Sequence, residues 1–175
     1  MLSPFLFCST MEDVTQNRNN LLVYLAGAIE NAPDNGSGWR LELSDFLVKQ
    51  LQHRVFNPCL EESHVLNQEE FHFFRKWKTT DIKRFRETVH KIIKKDLSKI
   101  IDEADYIICL WDKHVLGGGG THGELTMAHW YKKPVYLVTD MPLKNISSWI
   151  IGCSTEIFFN FDQLKQYLMA KYMKQ

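Results

Sequence analysis

Residues 105 to 130, DYIICLWDKHVLGGGGTHGELTMAHW, join a strand pattern to a helical pattern through four consecutive glycines. The run DYIICLW (105 to 111) is short and rich in β-branched and aromatic residues, which is typical of a strand covered on both faces. The stretch ELTMAHWYK (124 to 132) then carries apolar residues in helical spacing. A strand, a loop and a helix in this order indicate part of a βαβ unit.

The same order repeats along the chain. Predicted strands lie at LLVYLAG (21 to 27), HRVFNP (53 to 58), DYIICLW (105 to 111), KPVYLV (133 to 138) and STEIFFN (154 to 160). Helical patterns lie at 39 to 51, across 67 to 103, at 124 to 132 and at 162 to 173. This alternation predicts a single α/β domain with a doubly wound, five-stranded parallel sheet, flavodoxin-like or Rossmann-like in style. We assign residues 21 to 175 to this domain and residues 1 to 20 to a mobile N-terminal extension.

Capping patterns mark three helix starts. Thr79-Thr80-Asp81 is a candidate cap for a new helix within 67 to 103, and Asn160-x-x-Gln163 is a candidate capping box for the last helix. Thr121-x-x-Glu124 has the same signature directly after the glycines. A cap alone would explain both Thr121 and Glu124.

The glycines at 117 to 120 allow a second interpretation of Glu124. They let a ligand approach the main chain closely, and a loop before a helix directs N–H groups into the crevice at the strand ends. In the first turn, the helix dipole would favour an ionised Glu124, which suits a nucleophile toward an anomeric carbon. Neither this run nor the loop after residues 21 to 27 matches the common phosphate-binding motifs. A structural cap and a functional carboxylate both remain open.

Composition sets the broad class. The chain has 175 residues, and its 21 basic and 21 acidic residues cancel, so no global charge indicates a nucleic-acid partner. The four cysteines are far apart and form no C-x-x-C pair, which predicts free thiols in a reducing compartment. The apolar start at 1 to 8 is too short to span a bilayer. We therefore expect a soluble, cytoplasmic protein.

Three further features allow structural and functional interpretations side by side. Residues 75 to 99 hold ten Lys or Arg and three acids, and such a helix can contact RNA, a membrane or a phosphate, although a solvated face is commoner. Asp34 could hydrogen-bond a base or belong to a turn, and Trp39 could stack on a base or belong to the core. His122 and His129 do not form H-E-x-x-H and lack further ligands, so no metal site is expected, and His122 is a candidate for lining a pocket.

A resemblance to a known family rests on four segments: VYLAGAIE (23 to 30), VFNPCLEE (55 to 62), KKDLSKIIDEADYIIC (94 to 109) and GGTHGELTMAHWYKKPVYLV (119 to 138). Together and in this order they resemble the nucleoside 2-deoxyribosyltransferase family and its 2′-deoxynucleoside 5′-monophosphate N-glycosidase relatives. The resemblance covers about residues 21 to 140.

The resemblance implies roles for individual residues. Glu124 matches the family's nucleophile, which attacks C1′ of the sugar, and Tyr24 matches the tyrosine that orients it. Asp96 matches the aspartate that binds sugar hydroxyls and assists departure of the base, whereas Asp105 is structural. The residues expected to contact substrate are Gly27, Ala28, Asp34, Trp39, Gly120 and Thr121.

Two positions depart from the family pattern. Gly118 stands where the deoxyribosyltransferases commonly carry a further carboxylate, six residues before the nucleophile, and the nearest upstream acid is Asp112. Ala28 stands where the monophosphate hydrolases tend to have Ser or Pro. Backbone N–H groups of the glycine run are the alternative contact for a phosphate.

The function expected from this resemblance is cleavage of the N-glycosidic bond of a 2′-deoxynucleoside or nucleoside 5′-monophosphate. A covalent intermediate on Glu124 is resolved by a second nucleobase or by water, without a metal or organic cofactor. Family relatives are commonly homo-oligomers, so we expect one here, and we expect neither a membrane nor a nucleic-acid partner. A non-catalytic nucleotide-binding or signalling module using the same crevice is the alternative, favoured by the missing carboxylate at 118. An RNA-binding module that uses residues 75 to 99 is the third possible function.

Overall fold

All five predicted strands are present, and they pair in parallel in the order β2-β1-β3-β4-β5. A computed structural model describes residues 20 to 173 of the chain. The strands are β1 (Leu22–Gly27), β2 (Arg54–Phe56), β3 (Tyr106–Leu110), β4 (Val135–Val138) and β5 (Glu156–Phe158). This is the flavodoxin-like order, so the predicted fold class is confirmed. The predicted N-terminal extension lies, apart from Asn20, outside the described residues.

Helices connect the strands and cover the sheet. The α-helices of the described part are α1 (Ser37–Leu51), α2 (Pro58–Val65), α3 (Gln68–Thr80), α4 (Ile82–Ser98), α5 (Gly120–Trp130), α6 (Ser148–Cys153) and α7 (Phe161–Tyr172). A π-helical turn, Lys99–Glu103, follows α4, and short 3-10 turns lie at Lys113–Gly117 and Leu143–Asn145. No helix within residues 20 to 173 combines the length and the apolar character that crossing a bilayer requires.

Two of the predicted helix caps are present. The side chain of Asp81 accepts a hydrogen bond from the backbone N–H of Arg84, which separates α3 from α4 inside the predicted helical stretch. The side chain of Asn160 accepts one from the N–H of Gln163 and begins α7. The Asn-Pro pair at 57 and 58 both closes β2 and begins α2, because Asn57 caps that helix and Pro58 occupies its first turn.

Strand β1 is buried on both faces, which explains its uninterrupted apolar run. Tyr24 and Ala26 enter one core together with residues of α5 and α6. Val23 and Leu25 enter a second core, on the opposite face, together with residues of α1 and α7. Because successive side chains of a strand point to opposite faces, the even-numbered residues face α5. Tyr24 is therefore placed beneath the helix that carries Glu124.

Helices α3 and α4 form a hairpin with its own small core. Leu66, Phe74 and Trp77 are buried there, with Phe85 and Ile92 packed against them. The far end of α4 joins the main core through Leu97, next to Asp96. The hairpin thereby brings the α4 carboxylate close to the carboxyl ends of β1 and β3.

Candidate active site

A crevice of about 250 Å³ opens where β1 and β3 end. Its lining comes from the loops after these strands, from the first turns of α5, and from the α3–α4 hairpin. Strand order reverses between β1 and β3, and crevices at such switch points are where doubly wound folds bind ligands. Of the predicted site residues, those that line the crevice are Gly27, Ala28, Asp96, Gly120, Thr121 and Glu124.

Glu124 and Tyr24 are in direct contact. The hydroxyl of Tyr24 donates a 2.7 Å hydrogen bond to Oε1 of Glu124. Tyr24 is fully buried on β1 and stacks on Phe56, with ring centroids 5.2 Å apart, so the position of its hydroxyl is fixed. Burial, and then the charge of Glu124, raise the pKa of Tyr24 well above its usual range, so the hydroxyl stays a donor.

The surroundings of the Glu124 carboxyl shift its pKa in opposite directions. Burial raises its pKa, whereas the hydrogen bond from Tyr24 and the charge of Arg40 lower it. The net direction is upward from the ordinary glutamate value. Within the described residues Oε2 accepts no hydrogen bond from a protein group, which leaves that oxygen available for a ligand.

Asp96 supplies the second carboxyl of the crevice. Burial is the main cause that raises its pKa to about 7, and the charges of Glu124 and Glu62 add to the effect. Near neutral pH this side chain is therefore divided between its protonated and ionised forms. Two nearby carboxyls with different protonation behaviour can act as an acid and a nucleophile.

The predicted capping box at Thr121 and Glu124 is wrong. Helix α5 begins at Gly120, two residues before the start that an N-cap at Thr121 implies, so Gly119 is the N-cap and no side chain caps the helix. Glu124 lies in the second turn instead of the first, and its carboxylate binds Tyr24 instead of a backbone N–H. The dipole argument for an ionised Glu124 loses its basis, because the effect is confined to the first turn.

The glycine run leaves space rather than making a special turn. None of Gly117 to Gly120 has a positive φ angle. A Cβ atom on Gly119 or Gly120 would meet no other atom within 4 Å, although both residues line the crevice. The absent side chains thus keep the main chain of the α5 N-terminus accessible to a ligand.

Arg40 holds the first loop in place, a role that the sequence did not indicate. Its fully buried guanidinium donates hydrogen bonds to the carbonyls of Leu25, Gly27, Ala28 and Gly36. Gly27 has a φ angle of +152°, and a Cβ there would come within 3.1 to 3.3 Å of three neighbouring atoms. The β1 end of the crevice is therefore rigidly defined.

Asp34 and Trp39 do not line the crevice. The Asp34 carboxylate accepts hydrogen bonds from the N–H groups of Gly36 and Gly38, which is a turn role. Trp39 stacks on Phe161 of α7, with ring centroids 5.7 Å apart. The structural interpretation of both residues accounts for their contacts.

Several lining residues were missed by sequence reasoning. They are Asn31 in the first loop, Glu62 on α2, Arg75 on α3 and His114 in the 3-10 turn. Arg75 donates hydrogen bonds of 3.0 and 3.2 Å to the two carboxylate oxygens of Glu62. No local pattern marks these residues, although Glu62 lies within one of the family-like segments.

The basic stretch at 75 to 99 is largely neutralised within the chain. Six of its ten cations form ion pairs with acidic side chains, in the pairs Arg75–Glu62, Lys78–Glu30, Arg84–Glu69, Lys91–Glu70, Lys95–Glu61 and Lys99–Glu103. Arg84 also lies over the ring of Trp77, 3.8 Å from the centroid. These contacts favour the solvated-helix interpretation over a nucleic-acid surface.

The histidines beside Glu124 lie outside the crevice lining. The His122 ring meets the edge of Trp111, with centroids 4.8 Å apart, and His129 is exposed. No group of three or more His, Cys, Asp or Glu side chains within residues 20 to 173 is placed to hold a metal ion. Cys59, Cys109 and Cys153 are free thiols.

Comparison with known proteins shows a similarity of fold. No protein-family model matches the sequence, and no curated protein matches it. In structure, the chain is similar to the 2-deoxyribosyltransferase of the psychrotolerant bacterium Bacillus psychrosaccharolyticus, a biocatalyst for the synthesis of antiviral and antitumoral nucleosides. The TM-score is 0.55 and the identity 20%, over 86% of this chain and 95% of that chain. The two proteins share a fold, and the neighbour is a member of the family that the sequence resembles.

Proposed function

We propose that this chain cleaves the N-glycosidic bond of a 2′-deoxynucleoside or its 5′-monophosphate through a covalent intermediate on Glu124. The observation that carries the proposal is the hydrogen bond from Tyr24 to Glu124, at a crevice that Asp96 also lines. A positioned carboxylate beside a second carboxyl of raised pKa is the arrangement used by retaining glycosidases. The fold shared with a 2-deoxyribosyltransferase supports the same substrate class.

In the first step, Glu124 attacks C1′ of the sugar. A bond forms between a carboxylate oxygen and C1′, while the bond from C1′ to the base nitrogen breaks and its electron pair goes to the base. Protonated Asp96 donates its proton to the departing base. The pKa of about 7 suits Asp96 to this task, because an acid whose pKa lies near the working pH transfers protons most effectively.

In the second step, the glycosyl ester on Glu124 is resolved. Ionised Asp96 takes a proton from an incoming water or nucleobase, which attacks C1′ and releases Glu124. Water gives a hydrolase and a second base gives a transferase. Both steps are substitutions at carbon with proton transfer, so the mechanism calls for neither a metal nor an organic cofactor.

The lining of the crevice supports an uncharged nucleoside over a monophosphate. Phe85, Val89 and Ile92 offer an apolar surface for a base. Of the four acids in the lining, Glu30 pairs with Lys78 and Glu62 pairs with Arg75, which leaves the carboxyls of Asp96 and Glu124 without an ion-pair partner among the described residues. A 5′-phosphate would add negative charge to this environment.

We also propose that the protein forms a homo-oligomer. Trp130 at the end of α5 and Trp149 on α6 are 78% and 65% exposed, and large exposed apolar side chains are common at interfaces between subunits. Sedimentation analysis of the wild type and of Trp130→Ala tests this, and a wild type that sediments as a monomer contradicts it.

The central experiment measures base release from a panel of deoxynucleosides and their monophosphates. We expect Glu124→Ala to abolish release while the fold is retained, and the wild type to accumulate a covalent sugar adduct detectable by intact mass. Glu87→Ala is the matched control, because Glu87 is an exposed acid on α4 outside the crevice lining. Release by Glu124→Ala at the wild-type rate would exclude the proposed nucleophile.

A non-catalytic nucleotide-binding or signalling module is the second candidate. Gly118, which lacks the carboxylate common in the resembling family, favours it. The same panel separates the two proposals: a wild type that binds nucleosides and releases no base supports the binding module.

A further inference from the structure

We infer that Asn31 recognises the leaving nucleobase, an inference that rests on the proposed function and assigns a specificity residue within the same crevice. Asn31 lies in the loop after β1 and is an exposed part of the crevice lining. It is thus the residue through which the first loop presents a side-chain amide to a ligand, a role expected of Asp34 from the sequence.

The Asn31 amide lies directly against the glycine run. Its nitrogen Nδ2 is 3.1 Å from the position of a Cβ on Gly117 and 3.5 Å from that of a Cβ on Gly118. The space that a side chain at these positions would enter is therefore bordered by the amide. A group bound beside Gly117 and Gly118 would therefore lie next to the Asn31 amide.

The loop that carries Asn31 is held on both sides. Arg40 binds the carbonyl of Ala28 on one side, and the N–H of Ala32 donates a 3.1 Å hydrogen bond to the carbonyl of Ile29. No hydrogen bond within residues 20 to 173 engages the side chain of Asn31 itself. The amide is thus positioned by its backbone while its donor and acceptor remain available.

An amide places a donor and an acceptor side by side and carries no charge. This pattern matches the adenine edge formed by the N6 amine and the N7 acceptor, and such a pair gives discrimination between bases. Purine itself lacks the N6 amine and keeps only an acceptor at this edge, so it loses one of the two hydrogen bonds. Because the amide does not titrate, Asn31 holds the base, and the proton for the departing base comes from Asp96.

Binding of free adenine provides a test that does not depend on catalysis. By isothermal titration calorimetry, we expect Asn31→Ala to bind adenine roughly tenfold more weakly than the wild type, within the range that a bidentate contact supplies. The wild type should also bind purine, which lacks the N6 amine, more weakly than adenine. Asn145→Ala is the matched control, because Asn145 is an exposed asparagine outside the crevice lining.

A substrate without a base edge separates recognition from general damage. With 4-nitrophenyl 2-deoxyriboside, whose leaving group has no donor beside an acceptor, Asn31→Ala should lose less of the wild-type kcat/KM than it loses with deoxyadenosine. Asn31→Asp keeps the side-chain size and removes the donor, so it should also weaken adenine binding. This variant guards against an effect of lost volume alone.

The outcomes distinguish this inference from the proposed function. Equal adenine affinity of wild type and Asn31→Ala overturns the inference, and so does a wild type that binds no adenine, even if another base is released. If the wild type binds adenine through Asn31 but releases no base, the inference stands and the glycosidic cleavage fails.

Discussion

The hydroxyl of Tyr24 and the carboxylate of Glu124 meet at 2.7 Å although the residues are 100 positions apart in the chain. The bond links the central strand β1 to helix α5 across their shared core. It also ties the protonation of Glu124 to the presence of one hydroxyl, because that hydrogen bond lowers the pKa that burial raises. The nucleophile we propose thus depends on a residue that does not itself line the crevice.

Removal of the Tyr24 hydroxyl should weaken catalysis most at low pH. In Tyr24→Phe, the pKa of Glu124 rises further, so less of the ionised nucleophile is present and the acidic limb of the pH–rate profile moves to higher pH. We expect base release near neutral pH to fall roughly ten- to a hundredfold, as for the loss of a hydrogen bond to a charged group. Tyr106→Phe is the control: it removes a hydroxyl that contacts His53, in the core on the opposite face of the sheet. An unshifted acidic limb in Tyr24→Phe would contradict the proposed coupling.

The protonation of Asp96 should respond to Glu124. The charge of Glu124 contributes to the raised pKa of Asp96, so Glu124→Gln should lower that pKa from its value of about 7. The titration of the Asp96 carboxyl carbon, followed by nuclear magnetic resonance in the wild type and in the variant, measures the change directly. A titration midpoint that is the same in both proteins would show that the two carboxyls do not interact.

Asp96 should reduce stability as the pH rises. Its folded-state pKa of about 7 lies above the ordinary value of 3.8, so the folded state holds the proton more tightly than the unfolded state. The contribution of this group to the free energy of unfolding is fully present below about pH 4, where the carboxyl is protonated in both states. It is lost as the pH rises toward 7. We expect Asp96→Asn to raise the Tm relative to the wild type more at pH 8 than at pH 5, and to lose base release. The control is Asp102→Asn, an exposed acid outside the crevice lining; a Tm difference for Asp96→Asn that is equal at both pH values contradicts the argument.

The glycines that line the crevice should be needed for ligand access and not for folding. A Cβ on Gly119 or Gly120 meets nothing within 4 Å, so alanine at either position should leave the Tm unchanged or raise it. The added methyl group would occupy space within the crevice, and we expect a KM increase of roughly tenfold or more. Gly123→Ala is the matched control in the same helix, because its Cβ is also unobstructed and Gly123 is absent from the lining. Wild-type KM values for Gly119→Ala and Gly120→Ala would show that the substrate does not bind beside these glycines.

The sequence was sufficient to predict the sheet and the starts of two of the helices. Apolar runs such as residues 21 to 27 carry strong local information, since a strand buried on both faces tolerates few polar residues. Asp81 and Asn160 act within their own helices, so their capping roles can be predicted from neighbouring residues. The start of α5 was misplaced, because glycine is a poor helix former and the run at 117 to 120 obscures the first turn.

The remaining site residues depend on contacts that no local pattern encodes. Arginine is usually exposed, and only the fold brings four carbonyls, from β1 and from the loop that follows it, to the guanidinium of Arg40. Glu62 lies on α2 and Arg75 on α3, and they meet because these two helices pack together. The glycine run indicated Glu124 by itself, whereas Tyr24 and Asp96 were indicated only through the resemblance to a family, which supplied the missing long-range information.

The charge of the crevice should disfavour a 5′-phosphate. Among the described residues the lining holds four acids, of which Glu62 pairs with Arg75 and Glu30 pairs with Lys78, so the carboxyls of Asp96 and Glu124 have no ion-pair partner. We expect kcat/KM for a deoxynucleoside to exceed that for its monophosphate by roughly tenfold, since one like-charge contact near a protein surface is sufficient for such a difference. Added salt should reduce the difference by screening. Glu62→Gln removes one negative charge and releases Arg75, so it should raise kcat/KM for the monophosphate relative to kcat/KM for the nucleoside. Glu69→Gln, which breaks the pair with Arg84 outside the lining, should leave the ratio unchanged. A wild type that prefers the monophosphate would show that the main-chain N–H groups at the start of α5 outweigh these carboxylates.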